Sequence, residues 1–121
     1  MLTVLLVLLV SGLLTAVAAA PPAAKLPVTV LNETAVTGLA AKVSGVLKGG
    51  GWPTTDVGAY TPKDVAATTV YFTQGDDAQR AAAVALVDQF PQLHGPVPRF
   101  FDVPGQPKPG LVVIATGDWK P

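Results

Sequence analysis

Strand-like and helix-like patterns of hydrophobic residues alternate after residue 27 of this chain. From Val36 to Lys48, apolar side chains recur on one face at helical spacing until a run of three glycines begins at Gly49. Asp76 and Gln79 form a capping-box pattern for a second helix, which Pro91 ends. Runs of β-branched and aromatic residues predict five strands: Val28 to Leu31, Thr54 to Tyr60, Thr68 to Thr73, Arg99 to Val103, and Leu111 to Ala115.

Two of these strands have a predicted place in the sheet. Arg99 to Val103 is bracketed by Pro96, Pro98 and Pro104, which cannot donate to a ladder, so we expect an edge strand. Leu111 to Ala115 is continuously apolar and is expected to be a central strand covered on at least one face by helices. The order β-α-β-β-α-β-β predicts an α/β fold: a two-layer sandwich whose mixed β-sheet carries two helices on one face.

The first twenty residues form an apolar leader without a charged side chain. We expect residues 1–20 to be a helical signal or membrane anchor that places the rest of the chain outside the cytoplasm. Small residues at Ala16 to Ala19 resemble a cleavage site, so a cleaved signal and a retained anchor both remain open. No Lys or Arg precedes the apolar run, and we expect the natural start to lie upstream of Met1. Residues 21–27, rich in Ala and Pro, are expected to be a stiff linker before a domain at 28–121.

Charge and composition argue against several functions. Eight Lys and Arg balance eight Asp and Glu. The chain therefore lacks the excess of basic residues that nucleic-acid binding requires. Without Cys, thiolate catalysis is excluded. His94 is the sole histidine and Ser44 lies within a predicted helix, so no Ser-His-Asp arrangement is expected. The carboxylates that hydrolysis or metal binding would need are dispersed: Glu33, Asp56, Asp64, Asp102 and Asp118. The sequence therefore predicts no catalytic residue, metal or cofactor.

Two groups of residues are candidates for a binding patch. Asn32, Glu33 and Thr34 follow the first strand, and Thr116 and Asp118 follow the last. If those two strands are parallel, both groups meet at one edge of the sheet, where ligands commonly bind. The alternative is that Asn32 and Asp118 merely close turns.

Two aromatic side chains complete the candidate patch. Trp52 and Phe101 stand beside turns or on the predicted edge, where a ring can pack against a sugar or a peptide. Tyr71 is expected in the core, because it lies within a β-branched strand, and Trp119 is expected to cover one end of the core.

Four segments carry a resemblance to a known family: PVTVLN at 27–32, TGLAAKV at 37–43, TTVYF at 68–72 and VVIATGDW at 112–119. In this order the chain resembles the LytR C-terminal domain family over about residues 26–119. That domain follows the LytR-CpsA-Psr catalytic domain in cell-wall assembly proteins of Gram-positive bacteria, and also occurs alone behind a membrane segment. The chain is too short to carry that catalytic domain as well.

The residues and the resemblance together predict a non-enzymatic, extracytoplasmic accessory or binding module at the bacterial cell envelope. Its expected partner is wall polymer, with membrane contact through residues 1–20. The alternative is a protein-interaction module that docks on cell-wall assembly enzymes through an exposed strand edge.

Overall fold

The computed structural model describes residues 23–120. The predictions for the leader at 1–20, and for the first two residues of the linker, fall outside this range. Within residues 23–120, neither helix has the length and apolar character needed to span a membrane.

In the described part of the chain, two helices and five strands follow one another in the predicted order β-α-β-β-α-β-β. Both helices and four of the five strands lie where the sequence pattern places them, with small shifts at their ends. The elements are β1 (Val28–Asn32), α1 (Leu39–Gly49), β2 (Thr54–Ala59), β3 (Thr69–Phe72), α2 (Asp77–Gln89), β4 (His94–Pro98) and β5 (Leu111–Ala115).

The strands form one mixed sheet in the order β2-β1-β5-β3-β4. β1 is parallel to both β2 and β5, and β3 is parallel to β4. The direction reverses once, where β5 meets β3 in an antiparallel pair. β5 is thus the central strand, as predicted, and all five of its residues are buried.

Both helices pack on one face of the sheet, which confirms the predicted two-layer arrangement. Val30 and Val113 point from the sheet toward Leu47 of α1 and Leu86 of α2 in one buried cluster, the helix-side core. Each such aliphatic side chain contributes about 1.5–3 kcal/mol to stability when fully buried.

Loops rather than helices cover the second face of the sheet. Val112 and Ile114 of β5 pack there against Tyr60, Val65 and Val103, in a cluster that we call the loop-side core. Because both faces of β5 are covered, the strand carries no polar alternation, which explains its continuous apolar run.

The prediction of an edge strand at Arg99–Val103 is wrong. The edge strand is β4, at His94–Pro98, and it contains prolines instead of lying between them. The backbone N–H groups of His94 and Arg99 donate to the carbonyls of Thr68 and Phe72 at 2.9 and 2.8 Å. An edge strand tolerates Pro96 and Pro98 because its other residues supply the ladder.

The ends of the helices follow local chemistry. Val36, expected on the buried face of the first helix, is 55% exposed, because the helix begins only after Gly38, which adopts φ +83°. At the other end, Trp52 N and Gly51 N donate to the carbonyls of Leu47 and Lys48 at 3.1 and 2.9 Å. This is a Schellman motif, and Gly51 supplies its positive φ of 91°.

Asp76 caps α2 as predicted, with Oδ1 accepting from Gln79 N at 2.9 Å. The return bond differs from a capping box, since Gln79 Oε1 accepts from Thr73 N at 2.7 Å rather than from the backbone N–H of the cap.

Candidate functional site at the carboxyl edge of the sheet

The two segments predicted to share an edge do lie side by side. β1 and β5 are parallel, and Asn32 is the partner of Ala115 in their register. The next residue continues the pairing, because Glu33 N donates to Ala115 O at 3.0 Å. The residues that follow both strands therefore emerge at the carboxyl edge of the sheet.

Asn32 closes the turn that leads into α1. Its Oδ1 accepts from the nitrogen and the hydroxyl of Thr34 at 2.8 and 2.7 Å. Its Nδ2 donates to Val36 O at 2.7 Å, and Thr34 Oγ1 in turn accepts from Val36 N at 3.0 Å. These contacts form an Asx turn, and they engage both polar ends of the Asn32 side chain.

Glu33 holds a neighbouring loop in place. Its Oε1 accepts from Val65 N at 2.7 Å, which fixes the segment between β2 and β3 over the loop-side core. Nearby, Asp64 Oδ1 accepts from the Tyr60 hydroxyl at 2.7 Å. Burial and this hydrogen bond to a carboxylate raise the pKa of Tyr60 well above its usual value.

Asp118 is the centre of the second network. Its Oδ1 accepts from Thr68 N, Thr68 Oγ1 and Thr116 Oγ1 at 2.9, 2.7 and 2.6 Å. Its Oδ2 lies 3.5 Å from His94 Nε2, in a pair whose histidine is largely exposed. Desolvation acts to raise the pKa of Asp118, but the hydrogen bonds from Thr116 and Thr68, together with His94, lower it below its usual value.

Asn32 and Asp118 thus belong to two adjacent networks, with no hydrogen bond between their side chains. Ser44 belongs to neither of them, because its hydroxyl lies 2.6 Å from Thr54 Oγ1 at the amino edge of the sheet. Within residues 23–120, no group of three or more His, Asp or Glu side chains is placed to hold a metal ion.

Trp52 does not lie at the carboxyl edge. Its ring is 1% exposed within the helix-side core, and its Nε1 donates to Gln89 Oε1 at 2.8 Å. Gln89 Nε2 also donates to Gly50 O at 2.9 Å, so this side chain joins the ends of both helices. A ring buried to this degree has no face for stacking on a ligand.

Phe101 lies in a cleft on the loop side of the same carboxyl edge. The cleft has a volume of about 240 Å³. Leu31 and Ala59, near the ends of β1 and β2, form part of its wall. The other lining residues are Tyr60, Thr61, Pro62, Phe101, Asp102 and Pro104.

An aromatic cluster supports the Phe101 ring. The centroids of Tyr60 and Tyr71 each lie 5.0 Å from that of Phe101, with edge-to-face geometry. Phe100 packs on the same cluster and is 61% exposed. We call the cleft that the Phe101 ring lines the Phe101 cleft.

Phe101 is a candidate named from the sequence, but the side chains that surround it are not among those candidates. Tyr60, Pro62 and Pro104 come from two loops that meet only because the chain folds over the second face of the sheet. The sequence signal available is the density of Pro and aromatic residues in both loops. His94, expected at the surface, is exposed, but its contact with Asp118 joins β4 to the end of β5 and has no local signature.

Comparison with known proteins identifies a family and a relative. A family model described as LytR cell envelope-related transcriptional attenuator, LytR_C, matches residues 25–119. A Mycobacterium tuberculosis (strain ATCC 25618 / H37Rv) protein, the vesiculogenesis and immune response regulator, is 36% identical over 99 residues. The match covers 80% of this chain and 57% of that protein, so the chain spans little more than half of the relative's length.

Two solved structures are similar to the chain. The soluble domain of a conserved hypothetical secreted protein from Mycobacterium marinum is 24% identical with a TM-score of 0.54, covering 88% of this chain and 70% of that one. At this identity the likeness concerns the fold alone. The solution structure of the C-terminal domain of RV0431 is 37% identical with a TM-score of 0.48, covering 81% of this chain and 75% of that one.

Proposed function

The chain belongs to the LytR_C family, and we propose from that premise that it is a non-enzymatic, extracytoplasmic accessory module of the cell envelope that contacts wall polymer. The family's own description as cell envelope-related supports the location. The chain is also related to a vesiculogenesis and immune response regulator of a mycobacterium.

The Phe101 cleft is the observation that carries the polymer contact. A partly exposed aromatic ring beside a carboxylate and a hydroxyl is the combination that binds sugars, since the ring takes the apolar face and the oxygens take the hydroxyl groups. Phe101, Asp102 and Thr61 supply these groups. The aromatic cluster beneath fixes the Phe101 ring, so little conformational entropy is lost when a ligand binds.

Carboxylates at the carboxyl edge support a role without catalysis. Glu33, Asp64 and Asp118 each use an oxygen to accept hydrogen bonds from the protein itself. A general acid or base needs to reach a substrate proton. These groups instead fix loops around the sheet, as a binding scaffold requires.

We also propose that the domain is exported, because residues 1–20 form an apolar leader. Protease added to spheroplasts is expected to degrade the domain while cytoplasmic markers survive. Complete protection of the domain would contradict the proposal. Retention in membranes after a carbonate wash would favour an anchor over a cleaved signal.

A second candidate function is docking on wall-assembly proteins through β2. This strand forms one edge of the sheet. Four of its residues are exposed: Thr55, Val57, Gly58 and Ala59. Val57 is 46% exposed. An incoming strand can extend such an edge through main-chain hydrogen bonds, whereas the opposite edge, β4, has prolines at two positions.

Sedimentation with purified sacculi tests the main proposal. The full chain in a non-ionic detergent is expected to bind, and Phe101→Leu, which keeps apolar bulk but removes the ring, is expected to weaken retention about three- to tenfold. Phe100→Leu is the matched control, because Phe100 packs on the same cluster but does not line the cleft. Equal retention of both variants, or no retention of the unaltered chain, would contradict polymer binding in this cleft.

The docking alternative has a separate readout. Val57→Lys places a charge on the β2 edge and is expected to leave sacculus retention unchanged. Loss of crosslinked protein partners in cells for this variant, with retention intact, would favour docking instead.

A further inference from the structure

The Phe101 cleft is lined by one charged residue, and its charge is negative. Asp102 lines the cleft and is exposed. Its carboxylate makes no ion pair or hydrogen bond with the rest of residues 23–120. The carboxylates of Glu33, Asp64 and Asp118, in contrast, each accept hydrogen bonds from the protein. Asp102 therefore brings a charged acceptor to the cleft that the fold itself does not use.

No basic side chain is paired with this charge in the described part of the chain. The loops that build the cleft contain Lys63, Arg99 and Lys108, and none of the three lines it or pairs with a carboxylate. Arg99 instead donates through Nη1 to the carbonyl of Phe101. An incoming cation is therefore attracted to the cleft without having to displace a partner of the carboxylate.

Carboxylates next to the cleft add to its negative potential. Burial is the main cause that raises the pKa of Tyr60, and the hydrogen bond to Asp64 and the charges of Asp64 and Glu33 raise it further. Burial is also the largest cause that raises the pKa of Tyr71, and the same two charges contribute there. The rings that contact Phe101 thus lie in a negative potential, which favours a cationic ligand over an anionic one.

The rest of the lining is mainly apolar. The Tyr60 hydroxyl is already bonded to Asp64 Oδ1 at 2.7 Å, so Thr61 and Asp102 provide the polar side chains that remain for a ligand. The apolar side chains of the wall are Leu31, Ala59, Pro62 and Pro104. A ligand that matches this lining has an apolar stem and a single cationic head, as a lysine side chain does.

We propose that the Phe101 cleft binds a primary ammonium group on an alkyl stem. The Asp102 carboxylate accepts hydrogen bonds from the ammonium group, and the Phe101 ring and the apolar walls pack against the cation and its stem. A divalent metal ion does not fit, because it needs several oxygen ligands and Asp102 is a single free carboxylate. The inference rests on the proposed contact with wall polymer and narrows it to amino groups that the polymer carries on alkyl side chains.

Titration of the ¹⁵N-labelled full chain, in a non-ionic detergent, tests the role of charge. Butylammonium chloride and butanol have the same stem, but only the first is charged, and sodium chloride keeps the ionic strength constant. The backbone resonances of Phe101 and Asp102 are expected to move saturably with butylammonium, with a dissociation constant at least about fivefold below that for butanol. Equal affinity for the two compounds, or no saturable shift with butylammonium, would overturn the proposal.

A charge variant in the cleft separates a site from general attraction. Asp102→Asn keeps the size of the side chain and removes its charge. It is expected to weaken butylammonium binding about three- to tenfold and to leave butanol binding unchanged, a difference that a structural role would not produce. Asp88→Asn, which removes the same charge from an exposed position on α2, is the matched control. Equal weakening in the two variants would contradict a site at Asp102.

Acetylated sacculi separate this inference from the polymer contact itself. Acetic anhydride converts free amino groups into neutral amides and leaves the glycan chains in place. The full chain is expected to bind untreated sacculi and to lose most of its retention on acetylated ones. Equal retention on both would overturn the ammonium site while the polymer contact stands. No retention on untreated sacculi would contradict the polymer contact, and the butylammonium titration would then decide the ammonium site alone.

Discussion

Asp118 accepts two hydrogen bonds from Thr68, one from its backbone nitrogen at 2.9 Å and one from its hydroxyl at 2.7 Å. Fifty positions separate these residues in the chain. The contact ties the residue before β3 to the turn after β5, next to the antiparallel pair where the sheet changes direction.

Replacing Asp118 by Asn is expected to lower the free energy of unfolding by about 1–2 kcal/mol, because three donors lose a charged acceptor. Denaturant titration measures the loss. Asp88→Asn is the control, since it removes the same charge from an exposed position on α2. Equal losses in the two variants would mean that net charge, rather than the network, is responsible.

Acid should destabilise the protein partly through the same carboxyl group. The folded pKa of Asp118 is lower than its ordinary value of 3.8, so the unfolded chain binds the proton more tightly than the folded protein does. Its contribution is fully present above the unfolded pKa and is lost as the pH falls below 3.8, through the lowered folded value. Melting temperatures from pH 7 to 2 should therefore fall less steeply in Asp118→Asn. Parallel curves would contradict this role.

Asn32 is expected to act mainly through stability. Asn32→Ala removes the acceptor for Thr34 and the donor to Val36, and should cost about 1–2 kcal/mol. Asn32→Asp keeps the acceptor and loses only the donor, so a smaller loss is expected. If Asn32→Ala instead melts like the unaltered chain but no longer binds sacculi, Asn32 contacts a ligand directly.

Replacing either of two glycines by alanine should change the stability of the fold, in opposite directions for the two positions. Gly95 has a φ of +102°, and a Cβ there would lie 2.9 Å from Val70 O. Gly95→Ala should therefore destabilise the fold by more than about 1 kcal/mol. Gly45 lies inside α1, and an added Cβ would meet no heavy atom within 4 Å beyond the adjoining turns of its own helix, so Gly45→Ala should stabilise the fold by about 0.5–1 kcal/mol. Thermal melts of the two variants compare the signs directly.

Gln89 joins the C-terminal ends of both helices and should be sensitive to loss of its amide. Gln89→Leu leaves the Trp52 indole and the Gly50 carbonyl without this partner. The free energy of unfolding is expected to fall by about 1–3 kcal/mol, because the buried Trp52 N–H is left unpaired. The Trp52 indole resonance should shift at the same time. Gln74→Leu, in the turn after β3, is the surface control.

Local patterns predicted most of the fold. The apolar run of Leu111–Ala115 indicated the central strand, and the Asp76 cap and the glycines after α1 marked helix ends that depend on neighbouring residues only. Tyr71 and Trp119 lie in the core as expected, at 4% and 6% exposure. Such features depend on side chains a few positions apart, so the sequence alone contains their signal.

Features that depend on distant partners were not predictable in the same way. Residues His94–Pro98 form a strand because Thr68 and Phe72 offer carbonyls to them, and their prolines give no local sign of this pairing. The Phe101 cleft likewise needs the loop after β2 and the loop after β4 to meet over the sheet. The turn position of Trp52 favoured an exposed ring, but the Schellman motif at the end of α1 directs this side chain into the core.

The central place of β5 has a consequence for how the protein is made. β1 forms a hydrogen-bonded pair with β5, whose residues come more than seventy positions later in the chain. Until residues 111–115 have been synthesised, the β1-β2 pair and the β3-β4 pair have no strand to join them. β5 closes the sheet, so the β1-β2 and β3-β4 pairs stay unjoined until it is made, and contacts of such long sequence separation form slowly. A chain that folds late stays extended for longer, and an extended chain can pass through a narrow channel that a folded domain cannot enter.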